Sequence, residues 1–374
     1  MNIFLRFLSA WRFPWLMLLV SVGLPLAAGC GNAPQAQEPR DPAPAARSTT
    51  PPAPTVEEAV KPVPARLVAN RRATNPLDAD RAMGYLTRIA NIGPRYTGSP
   101  GFGEQRKFLI DYFTTMGGQV AEQPFQLRNL QGRELIEGVN LIVEWHPDRR
   151  DRVLVCAHYD TRPLPDYDPD PRKRREGTFI GANDGASGVA VLMELAHHLG
   201  SFDPKVGVDF IFFDAEDYVY EDQRGRFGEY CLGSQHFANE YRKTRSKEVT
   251  YHWGVLLDLV GDAELEIRQE RQSVRWRDTR PLVMQLWSIA AELGVKEFVP
   301  RLTVSDIYDD HVPLRNIGKI PTCNIIDAMY PNVSFGEPGS YWHTEQDIPA
   351  NCSGDSLAKV GWVVLEWLKR VEVK

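Results

Sequence analysis

Apolar residues recur at three- and four-residue spacing over 78–92 and 102–116, which predicts two helices, the first opened by Asp78 and followed by Gly93-Pro94. The runs 139–145, 153–158, 206–213, 254–259 and 320–326 are short and rich in Val, Ile, Leu and Phe at both odd and even positions. Strands apolar on both sides require a sheet covered on both faces. Between and after them the helical spacing returns: Val189, Leu192, Leu195, Ala196 and Leu199 share one face, residues 232–241 read as a further helix, and Leu357, Val360, Val364, Leu365 and Leu368 form the last stripe. Strand, loop and helix in alternation predict an α/β fold, a single domain over 67–374 whose mixed, mostly parallel central sheet carries helices on both faces.

The pattern before residue 67 is different. Arg6 and Arg12 flank a start that runs into an apolar stretch, 13–26, and then into Ala27, Ala28, Gly29 and Cys30. This is the layout of an export signal, with an apolar run below the roughly 18–20 residues of a spanning helix and broken by Pro14 and Pro25. Leu26-Ala27-Ala28-Gly29-Cys30 resembles the bacterial lipobox, whose cysteine is lipidated; the alternative is an ordinary cleaved signal with a chance cysteine. Either reading places the protein outside the cytoplasm, in a bacterial cell envelope, and the first adds membrane contact through Cys30. Residues 31–66 are dense in proline, alanine, serine and threonine and nearly free of large apolar residues, so they read as a disordered tether.

Composition narrows the class. The 374 residues are 43% hydrophobic and 25% charged, which excludes a wholly disordered or multi-span membrane chain, and the formal charge of −6 gives no basic field for nucleic acid. Cys156, Cys231, Cys323 and Cys352 fall in the folded part; an exported protein permits disulfides, and four cysteines leave three pairings open beside a buried free thiol at Cys156. The basic run Arg172–Arg175, in a Pro- and Asp-rich insertion, reads as solvated loop, with a lip of the site as the lesser alternative.

The chemistry lies at the strand ends. In an α/β sheet ligands bind beyond the carboxyl ends of the strands, and three apolar runs end in His158-Tyr159-Asp160, in Asp214-Ala215-Glu216-Asp217 and in Asp258. Loops add Asp184, within Gly181-Ala182-Asn183-Asp184-Gly185, and His343, within Trp342-His343-Thr344. Each signal alone is more often structural than functional. Together His158, Asp184, Asp217, Asp258 and His343 form a carboxylate–imidazole set suited to zinc, because such groups buried at one edge would be costly without a cation. Of the adjacent acids, one can ligate while the other, Glu216, carries a proton; Asp160 is placed to accept the His158 ring N–H.

These motifs, with Asp309-Asp310-His311, occur over roughly residues 80–370 in the order found in the zinc exopeptidase superfamily, which includes di-zinc aminopeptidases and glutaminyl cyclases, and the chain resembles that superfamily. Asp309, where aminopeptidases carry Ser, and Trp342 directly before His343 lean toward the glutaminyl cyclase branch. That resemblance implies one zinc held by Asp184, Asp217 and His343, Glu216 as the proton shuttle, Asp258 and Asp309 as an acidic group beside it, and Trp342 as a wall for an N-terminal glutamine. It implies peptide and protein N-termini as substrates, cyclised to pyroglutamate with loss of ammonia. The alternative is an aminopeptidase in which His158 and Asp258 hold a second zinc. A silent peptide-binding domain, the third reading, predicts a lost ligand or proton carrier, and neither is lost. The chain departs from the cyclase pattern in Asp217, one methylene shorter than the usual Glu, in Asn324 where that branch has His, and in a longer loop over 330–341 that offers Phe335 as a second aromatic. Oligomeric state is not legible.

Overall fold

The computed structural model describes residues 74–130 and 132–373. The export signal with Cys30 and the tether over 31–66 lie outside the described residues. In chain order the elements are α1 (Ala79–Ala90), α2 (Pro100–Thr115), β1 (Gln119–Arg128), β2 (Leu135–Trp145), β3 (Asp151–His158), α3 (Lys173–Glu176), α4 (Ser187–Leu199), β4 (Gly207–Phe213), β5 (Tyr220–Asp222), β6 (Gly225–Phe227) and α5 (Leu232–Lys243). They continue with β7 (Thr250–Asp258), β8 (Ile267–Gln269), α6 (Arg271–Arg275), α7 (Arg280–Leu293), β9 (Phe298–Leu302), α8 (His311–Asn316), β10 (Thr322–Ile326) and α9 (Gly354–Arg370).

The central sheet has the order β1-β2-β4-β3-β7-β10. Its last four strands are parallel, and β1 and β2 join antiparallel at one side, so the sheet is mixed and mostly parallel as the pattern predicts. The double-sided apolarity of the strands has a direct cause. Val155, Phe210, Phe212, Val255 and Leu257 face a core built with α1, α2, α4, α7 and α9, while Leu154, Cys156, Ile211, Phe213 and Leu256 face a second core with Phe237, Tyr241 and Leu314 of α5 and α8. Each side chain so buried is worth about 1.5–3 kcal/mol, and a polar residue at either parity would forfeit it.

Helix starts follow the side chains that can satisfy free N–H groups. Asp78 accepts from Arg81 N at 3.0 Å, and Ser99 Oγ accepts from Phe102 N at 3.1 Å with Pro100 in the first turn. Register then lines up the strand ends: His158 pairs with Phe213 across β3 and β4, and Ile326 with Asp258 across β10 and β7.

The structure adds elements that the pattern leaves out. β1 is an edge strand carrying Pro124, mostly solvent-facing, so its apolar content is low; the apolar run 139–145 is only the second half of β2. Helix α7, with Leu282, Val283, Leu286, Trp287, Ile289 and Ala290 buried and Gly294 left-handed at its end, has helical spacing over a stretch not assigned above. The basic run makes the single exposed turn α3, tied down by Lys173 to Glu345 at 2.8 Å. All four cysteines of the fold are free thiols, so none of the three pairings forms.

Candidate active site

The ends of β3, β4 and β7 bring His158, the segment Asp214–Asp217 and Asp258 to one sheet edge, and two loops complete the ring. Asp184 arrives on the turn before α4, where a Cβ on Gly185, at φ +88°, would sit 2.3 Å from the Asp160 carbonyl oxygen, so only glycine fits. His343 arrives on the segment after β10. Ala215, Leu259 and His343 all have left-handed backbones, at φ 53°, 51° and 56°. Such conformations are costly for residues with a Cβ, and here they lie within one residue of Glu216, Asp258 and His343.

Buried carboxylates hold this backbone in place. Asp160 accepts the N–H groups of Glu216 at 3.0 Å and Asp217 at 3.1 Å, and Asp347 accepts those of Asn183 at 2.7 Å and Asp184 at 3.0 Å as well as the Tyr330 hydroxyl. Asp160 therefore clasps the acidic pair; its Oδ1 lies 3.6 Å from His158 Nδ1, too far for the ring hydrogen bond expected of it.

All five predicted ligand-type residues converge. Asp184, Asp217 and His343 form one compact group, with His343 Nε2 3.2 Å from Asp184 Oδ2 and 3.3 Å from Asp217 Oδ2. His158, Asp184 and Asp258 form a second, with His158 Nε2 3.1 Å from Asp184 Oδ1 and 3.2 Å from Asp258 Oδ1. Asp184 belongs to both, one oxygen to each. The first group suits zinc on its own chemistry: Oδ2 of Asp184 and of Asp217 are buried and lack hydrogen bonds, the donors are two carboxylates and one imidazole, and all three residues line a cavity.

Charge follows from packing. Burial opposes ionisation of Asp184, but His158 and His343 prevail and hold its carboxyl below the usual range. Burial opposes protonation of His158, yet Asp160, Asp184 and Asp258 raise it well above an ordinary histidine. Glu216 is pushed well above the carboxylate range by burial and then by Asp217, and Asp258 rises to about 7 by burial, with Asp309 adding to the push against His158. An upward shift of a buried carboxyl is the direction expected of an acid–base group in a site of this kind.

Three contacts were not legible beforehand. The fully buried Arg162 donates from Nη1 to Asp217 Oδ1, from Nε to Asp166 at 2.9 Å and from Nη2 to the Tyr230 hydroxyl at 2.9 Å. It occupies one oxygen of Asp217 and leaves the other for an ion. Cys231, left-handed ahead of α5, points its thiol at Glu216 Oε1 at 3.3 Å, and burial together with that carboxylate keeps the thiol protonated as a donor. Asn324 donates to Asp309 Oδ2 at 2.7 Å, in the place where the cyclase branch carries His.

The cavity holds about 240 Å³. Its lining combines the acids Asp184, Glu216, Asp217, Asp258 and Asp309 with the aromatic rings of Tyr230, Phe335 and Trp342. Trp342 stacks on Phe335 with ring centroids 4.8 Å apart and on His343 at 3.6 Å, so the indole both walls the cavity and fixes the imidazole. Phe335, offered by the longer loop, lines the same cavity.

Known proteins share this arrangement of chain. The glutaminyl-peptide cyclotransferase of Bos taurus is 24% identical over 316 residues, covering 73% of this chain and 78% of its own length. The crystal structure of Fimbriiglobus ruber glutaminyl cyclase superposes with a TM-score of 0.73 at 36% identity, covering 80% of this chain and 97% of that one. A Zn-dependent exopeptidase from Parabacteroides distasonis superposes with a TM-score of 0.72 at 33% identity, covering 80% of this chain and all of that one. The family model of peptidase family M28 matches residues 140–368, more than half the sequence and the whole stretch that carries these site residues, and the chain belongs to that family.

Proposed function

We propose that this protein is a zinc-dependent glutaminyl cyclase, which converts the N-terminal glutamine of peptides and proteins to pyroglutamate and releases ammonia. The observation that carries the reading is the cavity itself: the Asp184–Asp217–His343 group and Glu216 line a space of about 240 Å³ together with Trp342 and Phe335, room for one side chain. Zinc bound by Asp184, Asp217 and His343 would supply Lewis acidity to the glutamine side-chain carbonyl.

The chain's own residues account for the rest. The indole of Trp342 and the ring of Phe335 hold the glutamine side chain, and Asp258 and Asp309 face the α-amine. Glu216 takes a proton from that amine as its nitrogen bonds to the side-chain carbonyl carbon. The carbon–nitrogen bond of the side-chain amide then breaks, and Glu216 returns the proton to the departing ammonia. Because both reacting groups belong to one residue, a cavity that fixes their approach contributes a large part of the acceleration.

One observation favours the second reading, a di-zinc aminopeptidase: the His158–Asp184–Asp258 group is as compact as the first. Incubation with a Gln-initiated and a Leu-initiated peptide separates the two by mass. The cyclase removes ammonia from the first and leaves the second intact; loss of the leucine residue from the second, with the first unaltered, would replace the cyclase by the peptidase.

The same proposal includes the site of action. The pattern ending in Cys30 supports a location at the outer side of a membrane, with the protein held by a lipid on that cysteine. Labelled fatty acid fed to expressing bacteria should enter the wild-type protein and not the Cys30→Ala variant; equal labelling of both would refute the anchor.

A further inference from the structure

A second, smaller cavity of about 110 Å³ adjoins the first, and the two share Ser305, Ile307 and Phe335 in their walls. Its remaining apolar lining comes from Val304, Ala328 and Met329. The one ionic group at its edge, Arg268, is already paired, donating from Nε to Glu266 at 2.6 Å. Both walls are pinned. Thr303 N donates to the Gln269 carbonyl at 3.0 Å and Arg271 to that of Val304 at 2.8 Å, while Asp327 receives N–H groups from Met329 at 3.0 Å and Glu266 at 2.9 Å.

We propose that this cavity is a subsite for the side chain of the second substrate residue and that it selects an apolar one, of leucine or phenylalanine size. The inference rests on the cyclase reading and extends it. With the glutamine side chain in the acid-lined cavity, the walls shared at Ser305, Ile307 and Phe335 bring the smaller cavity beside it, within reach of the next residue's side chain. A space of this volume has room for several waters, and an aliphatic or aromatic side chain displaces them from walls that are mostly apolar, the Thr303 hydroxyl being already donated to the Ser305 carbonyl and Ser305 and Ser334 supplying the other hydroxyls. Arg268 already shares its charge with Glu266 through Nε, so an acidic side chain meets a guanidinium whose charge is offset while losing its own hydration.

The test is ammonia release from four peptides, Gln-Xaa-Ala-Ala with Ala, Leu, Phe or Glu second, measured as kcat/KM on the wild-type protein and two variants. Leu and Phe should exceed Ala by at least about tenfold, the effect of burying even part of their three or more additional carbons, with Glu the poorest. Ala328→Leu fills the space and should shrink the Leu-to-Ala ratio to about twofold or less. Met329→Ala enlarges it and should raise Phe relative to Leu. Equal rates for all four peptides, a preference for Glu, or a Leu-to-Ala ratio that neither variant changes would overturn the subsite while leaving the cyclase reading intact. Ammonia from none of the four would overturn both.

Discussion

Replacing Glu216 by Gln is expected to lower turnover of a Gln-initiated peptide by about 10²–10⁴-fold, the usual contribution of a positioned acid–base group, while fold and zinc content stay as in the wild type. The amide is nearly isosteric and lies outside the Asp184–Asp217–His343 group, so it removes the proton acceptor and little else. It also removes a negative charge that burial and Asp217 already disfavour, so no loss of stability should accompany the change. The Cys231 thiol can still donate to the amide oxygen that replaces Oε1. The measurement is steady-state ammonia release beside elemental analysis and a thermal melt. Turnover within threefold of the wild type would remove Glu216 from the mechanism.

Asp184→Ala should abolish zinc retention, to below about 0.1 ion per chain after dialysis, and activity with it. Asp184 is the residue to change because it offers an oxygen to both compact groups, so whichever of them holds an ion, that ion loses a donor. The parallel change Asp217→Ala should also lose zinc, but with a second effect. It takes one carboxylate from a guanidinium with no access to water, and removing one partner of such a pair commonly costs about 3–5 kcal/mol. A melt should therefore fall further for Asp217→Ala than for Asp184→Ala, even when both are compared without metal. Full zinc occupancy in Asp184→Ala would exclude this residue as a ligand.

The parts of the site legible in the sequence were those announced by the strands. His158, Asp217 and Asp258 stand out because each ends a run that is apolar at both parities, and two-sided burial makes such runs easy to recognise. Asp184 was legible through glycines that only a tight turn needs, and Trp342-His343 through its likeness to a family motif. The supporting contacts were not. Arg162 meets Asp217 across 55 positions of sequence and Asp347 meets Asp184 across 163, and nothing local to either residue marks the encounter. Asp160 misled for a related reason: its nearness to His158 in sequence invited a ring hydrogen bond, whereas the left-handed turn at Ala215 swings two peptide N–H groups into its reach instead. In the fold, β1 was missed because an outermost strand with one side to water lacks the apolar signature that identified its neighbours.

That same strand bears on how copies of the protein meet one another. A sheet ending in a long, flat, apolar strand is a template for another chain, whereas here Pro124 has no N–H to lend and Glu122 and Arg128 stand out into solvent. At high concentration, neighbouring molecules would find no continuous ladder to extend on this strand, which guards the enzyme against zipping into aggregates along that edge.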